Sequence, residues 1–245
     1  MPFSGRPAYL IYLWFLTWLD WVYPPLCGGC GVRGTHWCSD CLESTQLISP
    51  PVCQNCGQNQ RYGGTCKQCR ESPPHYSALR SWAAFGGPLR KAIHRLKYKR
   101  DITLGQTLAR PMVESLGRLN WEIDVVIPVP LGVARQAERG YNQAALLARP
   151  IAWNFNWEYN PRALSRTRET RTQVGLNFEQ RRENVAEAFQ ASPVSISGKH
   201  VLVVDDVTTS GATMDACASA LKKAGAQQVY GFTLARAGSD HCETA

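Results

Sequence analysis

The stretch KHVLVVDDVTTSGAT, residues 199–213, constrains the fold of this chain more than any other segment. Residues 201–204 form an unbroken apolar run with three β-branched members, which predicts a strand buried on both faces of a parallel sheet. Asp205 and Asp206 follow where that strand should leave the sheet, and a small, hydroxyl-rich loop comes next. Residues 214–224 then predict a helix that ends at Gly225. The segment therefore predicts an α/β fold.

The loop after the two acids has the composition of a phosphate cradle. Backbone N–H groups and a helix N-terminus attract a phosphate dianion, and Thr208, Thr209, Ser210 and Thr213 can add hydroxyl donors. Two carboxylates would repel that phosphate, so we expect them to face ribose hydroxyls or a Mg²⁺ ion. A phosphorylated sugar with a metal-chelating group would suit both the loop and the two acids. The alternative is a plain strand-to-helix turn in which Asp206 or Ser210 is a cap.

The run VLVVDDVTTSGAT resembles the phosphoribosyl-pyrophosphate (PRPP) binding motif of type I phosphoribosyltransferases. The resemblance implies that Asp205 and Asp206 hold the ribose 2′- and 3′-hydroxyls and are the catalytic acids of any transfer reaction. It also implies that the following loop binds the 5′-phosphate. The PRPP-binding residues on this side of the ligand are then Asp205, Asp206, Val207, Thr208, Thr209, Ser210, Gly211, Ala212 and Thr213.

Length, charge and cysteine content narrow the class of protein. A chain of 245 residues can carry one medium domain and a small one. The formal charge of +8 favours an anionic ligand, which includes PRPP, nucleic acid and a membrane surface. Eight of the ten cysteines fall in four CxxC pairs, a pattern that indicates metal ligation in a reducing compartment rather than a secreted disulfide framework.

The cysteine pairs predict two zinc sites. The segments CGGCGVRGTHWCSDC and CQNCGQNQRYGGTCKQC have almost no apolar core, and a tetrathiolate zinc ion supplies folding free energy on the order of 10–16 kcal/mol to such segments. Each half resembles a short zinc ribbon. Four thiolates leave no open coordination position, so both ions are expected to be structural. We assign Cys27, Cys30, Cys38 and Cys41 to one zinc and Cys53, Cys56, Cys66 and Cys69 to the other, although spacing also permits interleaved pairing.

The N-terminal residues predict a helix that does not cross a membrane. The apolar run over residues 8–19 is shorter than the about 20 residues that a bilayer requires, and no signal-peptide cleavage site follows it. We expect an aromatic helix over residues 11–22 that packs on the rest of the protein, with a membrane-surface helix as the alternative. The predicted domains are the helix (1–26), a double zinc ribbon (27–72), a phosphoribosyltransferase domain (75–237) and a tail (238–245).

The second domain is predicted to begin with a strand over residues 76–85 and a helix from Pro88. Apolar residues recur there at helical spacing, opposite a basic stripe that comprises Arg90, Lys91, Arg95, Lys97, Lys99 and Arg100. The stripe is either a solvated face or a contact for the phosphates of PRPP or a nucleic-acid strand. Further along the chain we expect a helix over 102–116, strands over 124–130 and 228–235, and a frayed tail from Arg236.

The strand at 124–130 feeds an arginine-bearing loop, which is where an open α/β sheet places a ligand. In type I phosphoribosyltransferases this loop binds pyrophosphate, and the resemblance assigns that role to residues 130–135. RGYNQA, residues 139–144, resembles the corresponding stretch of the ComF family. Arg135, Arg139 and Asn142 are the expected ligand contacts, just before a helix that runs to about Phe155.

Residues 164–184 are polar and carry five arginines, which predicts either a solvated basic loop or a functional lid. The phosphoribosyltransferase family has a flexible loop at this point that closes over PRPP. The residues that match the ComF pattern in this flexible loop are Arg166, Thr170, Gln173, Arg181 and Asn184.

Together the aromatic N-terminus, the cysteine pairs, RGYNQ and VLVVDDVTTSGAT resemble the ComF family across nearly the whole chain. The resemblance implies a cytoplasmic protein that binds Mg²⁺–PRPP, contains zinc and takes part in DNA uptake during natural transformation. An active enzyme would be a glycosyltransferase that transfers a pentosyl group from PRPP. The alternative function is a non-catalytic adaptor that binds single-stranded DNA beside a competence helicase.

Overall fold

The computed structural model describes residues 24–99, 101–167 and 188–238. The predicted N-terminal helix, the lid residues Thr170, Gln173, Arg181 and Asn184, and residues 239–245 lie outside these ranges. Within them, no helix has the length and apolar character needed to span a bilayer.

The described helices are α1 (Ser39–Glu43), α2 (Lys67–Glu71), α3 (Gly87–Tyr98), α4 (Ile102–Gly117), α5 (Val133–Arg139), α6 (Gln143–Phe155), α7 (Pro193–Ile196) and α8 (Ala212–Lys223). The described strands are β1 (Ala78–Ala84), β2 (Val125–Pro128), β3 (Glu158–Tyr159), β4 (Leu164–Arg166), β5 (Phe189–Ala191), β6 (His200–Thr208) and β7 (Gln228–Arg236).

Five parallel strands form the central sheet in the order β1-β7-β6-β2-β3. Leu202 and Val204 of β6 pack into the core on the face covered by α4 and α6. Val201 and Val203 point into a second core, which includes α8 and the antiparallel β4–β5 ribbon. The apolar run is therefore buried on both faces, as its composition predicted.

Strand β6 is longer than the apolar run, and the two acids lie inside it. Its pairing with β2 stops at Pro128 and Val204, whereas its pairing with β7 continues to Thr208 and Arg236. Strand β7 is nine residues long, so it supplies backbone partners past the end of β2. The backbone of the two acids is therefore paired with β7 on one side and has no β2 partner on the other.

Most other predicted elements agree with the structure, and two segments that differ from the prediction lie near the sheet edge where the acids are. Strand β1, helices α3, α4, α6 and α8, and strands β2 and β7 occur where expected, and Gly225 has the left-handed φ of 92° that ends α8. Residues 130–135, predicted as a loop, run into α5, which Gly132 precedes and Gly140 ends with a φ of 78°. The first residues of the predicted lid, including Arg166, form β4 and pair with β5.

The cysteine-rich segment covers the free edge of the sheet. An antiparallel bridge joins Leu47 to Ala83 of β1, and the N–H of Leu79 donates to the carbonyl of Asn55 at 2.7 Å. An uncovered edge strand is a template for aggregation, so these bonds satisfy groups that would otherwise face solvent.

Gly57, which directly follows Cys56, lies in close contact with the backbone of β1. A Cβ atom on Gly57 would lie 2.2 Å from the carbonyl oxygen of Leu79, whereas one on Gly64 would have no atom within 4 Å. Both glycines have a positive φ, 71° and 104°. We expect Gly57→Ala to lower the free energy of unfolding by about 1–2 kcal/mol more than Gly64→Ala, since only the first adds a collision to the backbone strain. Urea denaturation of the two variants measures the difference, and equal losses of stability would contradict the prediction.

The topology places a crevice between β2 and β6. After β2 the chain crosses to β3 on one side, and after β6 it crosses to β7 on the other. Their crossover helices α6 and α8 contribute to opposite cores. Ligands of open α/β sheets bind outside the carboxyl ends of the strands at such a switch point. The acids and the loop before α8 lie at that edge.

Candidate functional site

The cysteines form two clusters of four, and each cluster brings its sulfur atoms within 4.8 Å of one another. The members are Cys27, Cys30, Cys38 and Cys41 in the first cluster and Cys53, Cys56, Cys66 and Cys69 in the second. The cysteines group as the prediction paired them, and the interleaved grouping that spacing left open is not the one adopted.

Both clusters fit tetrahedral zinc. Four sulfurs at about 2.3 Å from a zinc ion lie about 3.8 Å apart. The sulfurs of Cys27 and Cys38 are 3.7 Å apart, and those of Cys56 and Cys66 are 3.9 Å apart. The N–H of Cys66 points at the sulfur of Cys53 at 3.3 Å, an interaction that favours a thiolate. The donor set, four thiolates in each cluster, suits structural zinc and leaves no coordination position for substrate.

Asp206 of the acidic pair is buried beside a cation that α3 supplies. Nζ of Lys97 lies 2.6 Å from Oδ2 of Asp206, whose side chain is only 4% exposed. The N–H of Asp206 donates to Oδ1 of Asp205 at 2.8 Å. Lys97 belongs to the basic stripe, and no pattern in the sequence indicates that it contacts the acids. The helical spacing of the stripe could not show which of its cations points to the sheet.

Burial of the Asp205 carboxyl group raises its pKa well above the ordinary aspartate value. The adjacent charge of Asp206 raises this pKa further, while Lys97 lowers it. Ionised Asp205 is therefore unfavourable in the folded protein by itself. Acids kept at such a cost at the edge of a sheet are typical of functional sites.

The predicted phosphate loop spans the end of β6 and the start of α8. Thr208 is the last strand residue, Thr209 to Gly211 form the turn, and Ala212 and Thr213 begin the helix. Gly211 has a φ of 81°. The Oγ of Ser210 accepts from the N–H of Ala212 at 3.4 Å. The turn directs the first N–H groups of a three-turn helix to the carboxyl edge of the sheet, where an anion can bind.

The residues predicted to bind pyrophosphate follow β2 at the same edge. Arg135 and Arg139 lie on α5. Arg139 donates to Gln143 at 2.9 Å and lies over the ring of Tyr98, 5.3 Å from its centre. Asn142 caps α6 and donates to the carbonyl of Val129 at 2.9 Å. These contacts give Arg139 and Asn142 a structural role, and their contact with a ligand stays a prediction.

The basic stripe of α3 divides into two sets. Arg95 donates to the carbonyl of Cys27 at 3.0 Å and pairs with Asp101 at 2.7 Å, while Lys97 pairs with Asp206. Arg90, Lys91 and Lys99 are exposed. Arg100 lies outside the described residues. Only part of the stripe is therefore available to a polyanion.

Arg236, predicted to begin a frayed tail, is the last residue of β7 and lines a cleft. Its guanidinium donates to the carbonyl of Cys56 and, at 3.4 Å, to the carbonyl of Thr209. The cleft has a volume of about 50 Å³ and lies between the second cysteine cluster and the predicted phosphate loop. Tyr76 and Asp215 also line it. The sequence signal that could have found Arg236 is its place at the end of a buried strand, where it pairs with Thr208 of β6.

Fold and site together define a class of protein. The parallel sheet, the acidic pair and the loop before α8 form the type I phosphoribosyltransferase fold, preceded by two zinc-ribbon sites. A double zinc ribbon domain model matches residues 18–70, and a phosphoribosyl transferase domain model matches residues 103–243.

Three relatives narrow the class to a family. DNA utilization protein YhgH of Shigella flexneri is 32% identical over 209 residues, which cover 82% of this chain and 91% of the relative. Competence protein F of Haemophilus influenzae is 31% identical, covering 82% of this chain and 90% of the relative. Competence protein ComFC of Streptococcus pneumoniae is 28% identical, covering 81% and 87%. The chain belongs to the ComF family.

Proposed function

We propose that this protein binds Mg²⁺–PRPP at the carboxyl edge of its sheet and serves in the handling of incoming DNA. The observation that carries the PRPP proposal is the pair of acids at the β2–β6 switch point, directly before the loop that opens α8. The names of the relatives, which refer to competence and DNA utilization, support the second part. The reduced thiols of two zinc sites support a cytoplasmic location.

Each part of the proposed site has a chemical role. Asp205 and Asp206 accept hydrogen bonds from the ribose hydroxyls, and residues 208–213 donate to the 5′-phosphate. Mg²⁺ binds oxygen ligands and would neutralise charge on the pyrophosphate group. Arg135 and Arg139 would stabilise the pyrophosphate as it leaves C1 of the ribose. Arg166, Thr170, Gln173 and Arg181 are the proposed lid residues on the chain between α6 and β5.

Lys97 has a part in this proposal that the sequence did not suggest. Paired with Asp206, it offsets one of two adjacent negative charges and so lowers the pKa of Asp205, which burial and the charge of Asp206 raise. When ribose hydroxyls reach the acids, the same ammonium group can remain on the far side of Asp206. Lys97 is thus a positioning residue for the acid.

Calorimetric titration of the full-length protein with PRPP and Mg²⁺ tests the proposal, followed by an assay of pyrophosphate release with a panel of bases and amines. We expect saturable binding with one PRPP per chain. Release with one acceptor class would establish phosphoribosyl transfer, and binding without release would establish a PRPP-binding protein. Absence of binding heat, with the fold verified by circular dichroism, contradicts the proposal.

A second candidate function is single-stranded DNA binding at the exposed part of α3. Arg90, Lys91 and Lys99 are exposed, and Tyr98 is 56% exposed between the ring of His94 and the guanidinium of Arg139. Cations interleaved with a stacking aromatic are typical of single-strand binding surfaces. A competence helicase is the proposed partner.

The structure changes how the two functions are separated. Charge reversal at Lys97 would disturb Asp206 and so both functions, whereas Lys91 and Lys99 are exposed. Lys91→Glu with Lys99→Glu should weaken salt-dependent binding of a single strand and leave PRPP binding unchanged. Glu71→Lys with Glu43→Lys, on α2 and α1, changes the charge by the same amount in the opposite sense and controls for net charge.

A further inference from the structure

We propose that Arg236 couples zinc binding at the second cysteine cluster to phosphate binding at the loop of residues 208–213. The inference rests on the proposed PRPP function and adds a positioning residue and an energetic link to it. Zinc in the second cluster and the 5′-phosphate of PRPP would each tighten the binding of the other.

The link begins at the second cluster. The guanidinium of Arg236 donates to the carbonyl oxygen of Cys56, which is itself one of the four ligands. The turn that carries this carbonyl is closed by the N–H of Gly57, which donates to Cys53 at 3.0 Å. A segment without an apolar core holds such a turn only while its metal is bound. Zinc therefore decides whether the Cys56 carbonyl is in place for Arg236.

The other end of the link is the phosphate loop. The same guanidinium donates to the carbonyl of Thr209 at 3.4 Å. The N–H of Ala237 donates to the carbonyl of Thr208 at 2.8 Å, so the backbone on which Arg236 sits is tied to the loop as well. Arg236 Nε is buried and has no hydrogen-bond partner among the residues that the structure describes. A buried donor without a partner, on a cation beside a phosphate loop, is available to an anion.

Both ends face one cleft. It is lined by the ligands Cys56 and Cys69, by Ser210 and Ala212 of the loop and helix, and by Arg236 between them. A phosphate seated on the loop would thus share Arg236 with the cysteine cluster. Because both sites use the side chain of Arg236, binding at one site holds that side chain in place. Binding at the other site then costs less conformational entropy.

The first cluster is the natural comparison, because it contacts a different part of the domain. Arg95 of α3 donates to the carbonyls of Leu26 and Cys27 at 3.3 and 3.0 Å. A Cβ on Gly28 would lie 2.7 Å from the side chain of Leu104 on α4. The first cluster thus packs on α3 and α4, and none of its described hydrogen bonds is to the Arg236 side chain.

The experiment measures zinc affinity by competition with a chelator, with and without saturating Mg²⁺–PRPP. The Cys38→Ser, Cys41→Ser variant keeps only the second zinc, and the Cys66→Ser, Cys69→Ser variant keeps only the first. Because a hydrogen bond to a charged group is worth about one decade in an equilibrium constant, PRPP should tighten the second zinc about tenfold. The first zinc should change by less than about twofold.

Arg236→Met should abolish the tenfold effect while both zinc ions remain bound in the absence of PRPP, a change that a merely structural role would not produce. If the serine variants do not fold, the same test uses the wild-type protein, which carries both ions. PRPP should then slow the release of one of its two zinc ions, and it should have no such effect on Arg236→Met. Equal zinc affinity with and without bound PRPP overturns the coupling and leaves the proposed function standing. Absence of PRPP binding overturns the proposed function itself.

Discussion

Replacement of Asp205 and Asp206 by asparagine should weaken Mg²⁺–PRPP binding by about 100-fold while the protein stays folded. Each change replaces a charge-assisted hydrogen bond to a ribose hydroxyl by a neutral one, which costs about 1.4 kcal/mol, or tenfold, per acid. Calorimetric titration of the double variant beside the wild type measures the effect. Unchanged affinity would mean that the acids do not face the ligand.

The matched control removes two acids from the opposite end of the same sheet. Asp124 accepts from the N–H of His200 at 2.7 Å, and Glu158 pairs with Lys199 at 2.7 Å, both at the amino ends of the strands. Asp124→Asn with Glu158→Gln changes the net charge by the same two units. It should leave the affinity for PRPP within about twofold, since exposed charges a sheet length away are screened.

The variant with Asp205→Asn and Asp206→Asn should lose less stability than is usual for two changes at a buried site. The raised pKa of Asp205 means that the folded wild type binds a proton more tightly than the unfolded chain. Wild-type stability therefore falls as pH rises from the ordinary aspartate value through the raised pKa. Asp205→Asn removes this dependence. Urea denaturation across that range of pH should show a flatter profile for the variant.

Lys97→Met should lower the free energy of unfolding at pH 8 by about 2–3 kcal/mol, although it removes only one charge near the surface. Loss of one partner from a buried ion pair costs about 3–5 kcal/mol, and the 23% exposure of the Lys97 side chain reduces that figure. Without Lys97, which lowers the pKa of Asp205, Asp205 binds a proton more readily. The loss should shrink as the pH falls below the raised pKa of Asp205, because protonation removes one of the two adjacent negative charges that the cation offsets.

A double-mutant cycle separates the ion pair from the loss of packing. Lys97→Met combined with Asp206→Asn should be more stable than the sum of the two single changes predicts, by about 2 kcal/mol, because the charges are removed together. Lys99→Met is the control for loss of a lysine from the same helix, and its exposed side chain should cost less than about 0.5 kcal/mol. Additive effects in the cycle would show that the pair adds no stability.

The elements that the sequence predicted well are those with strong local signals. The apolar run in β6, the helical spacing of Leu89, Ile93 and Leu96, and the glycine that ends α8 depend on neighbours within a few residues. The grouping of the cysteines also followed from spacing, since short CxxC loops bring their sulfurs together with little help from the rest of the chain.

The contacts that complete the site have no local signal. Lys97 and Asp206 are separated by more than one hundred residues, as are Arg236 and Cys56, and each pair meets only because the strand order places β6 and β7 beside α3 and the second cluster. The length of β6 beyond its apolar run depends on β7, which supplies hydrogen-bond partners after β2 has ended.

The sequence by itself determined the family, the grouping of the cysteines and the place of the two acids directly before the loop that opens α8, because each depends on adjacent residues whose chemistry does not need distant partners. Only the tertiary structure decided which cations serve those acids and that loop. A charge on a helix face or at a strand end has no partner until the sheet forms, and sheet order joins segments far apart in the chain.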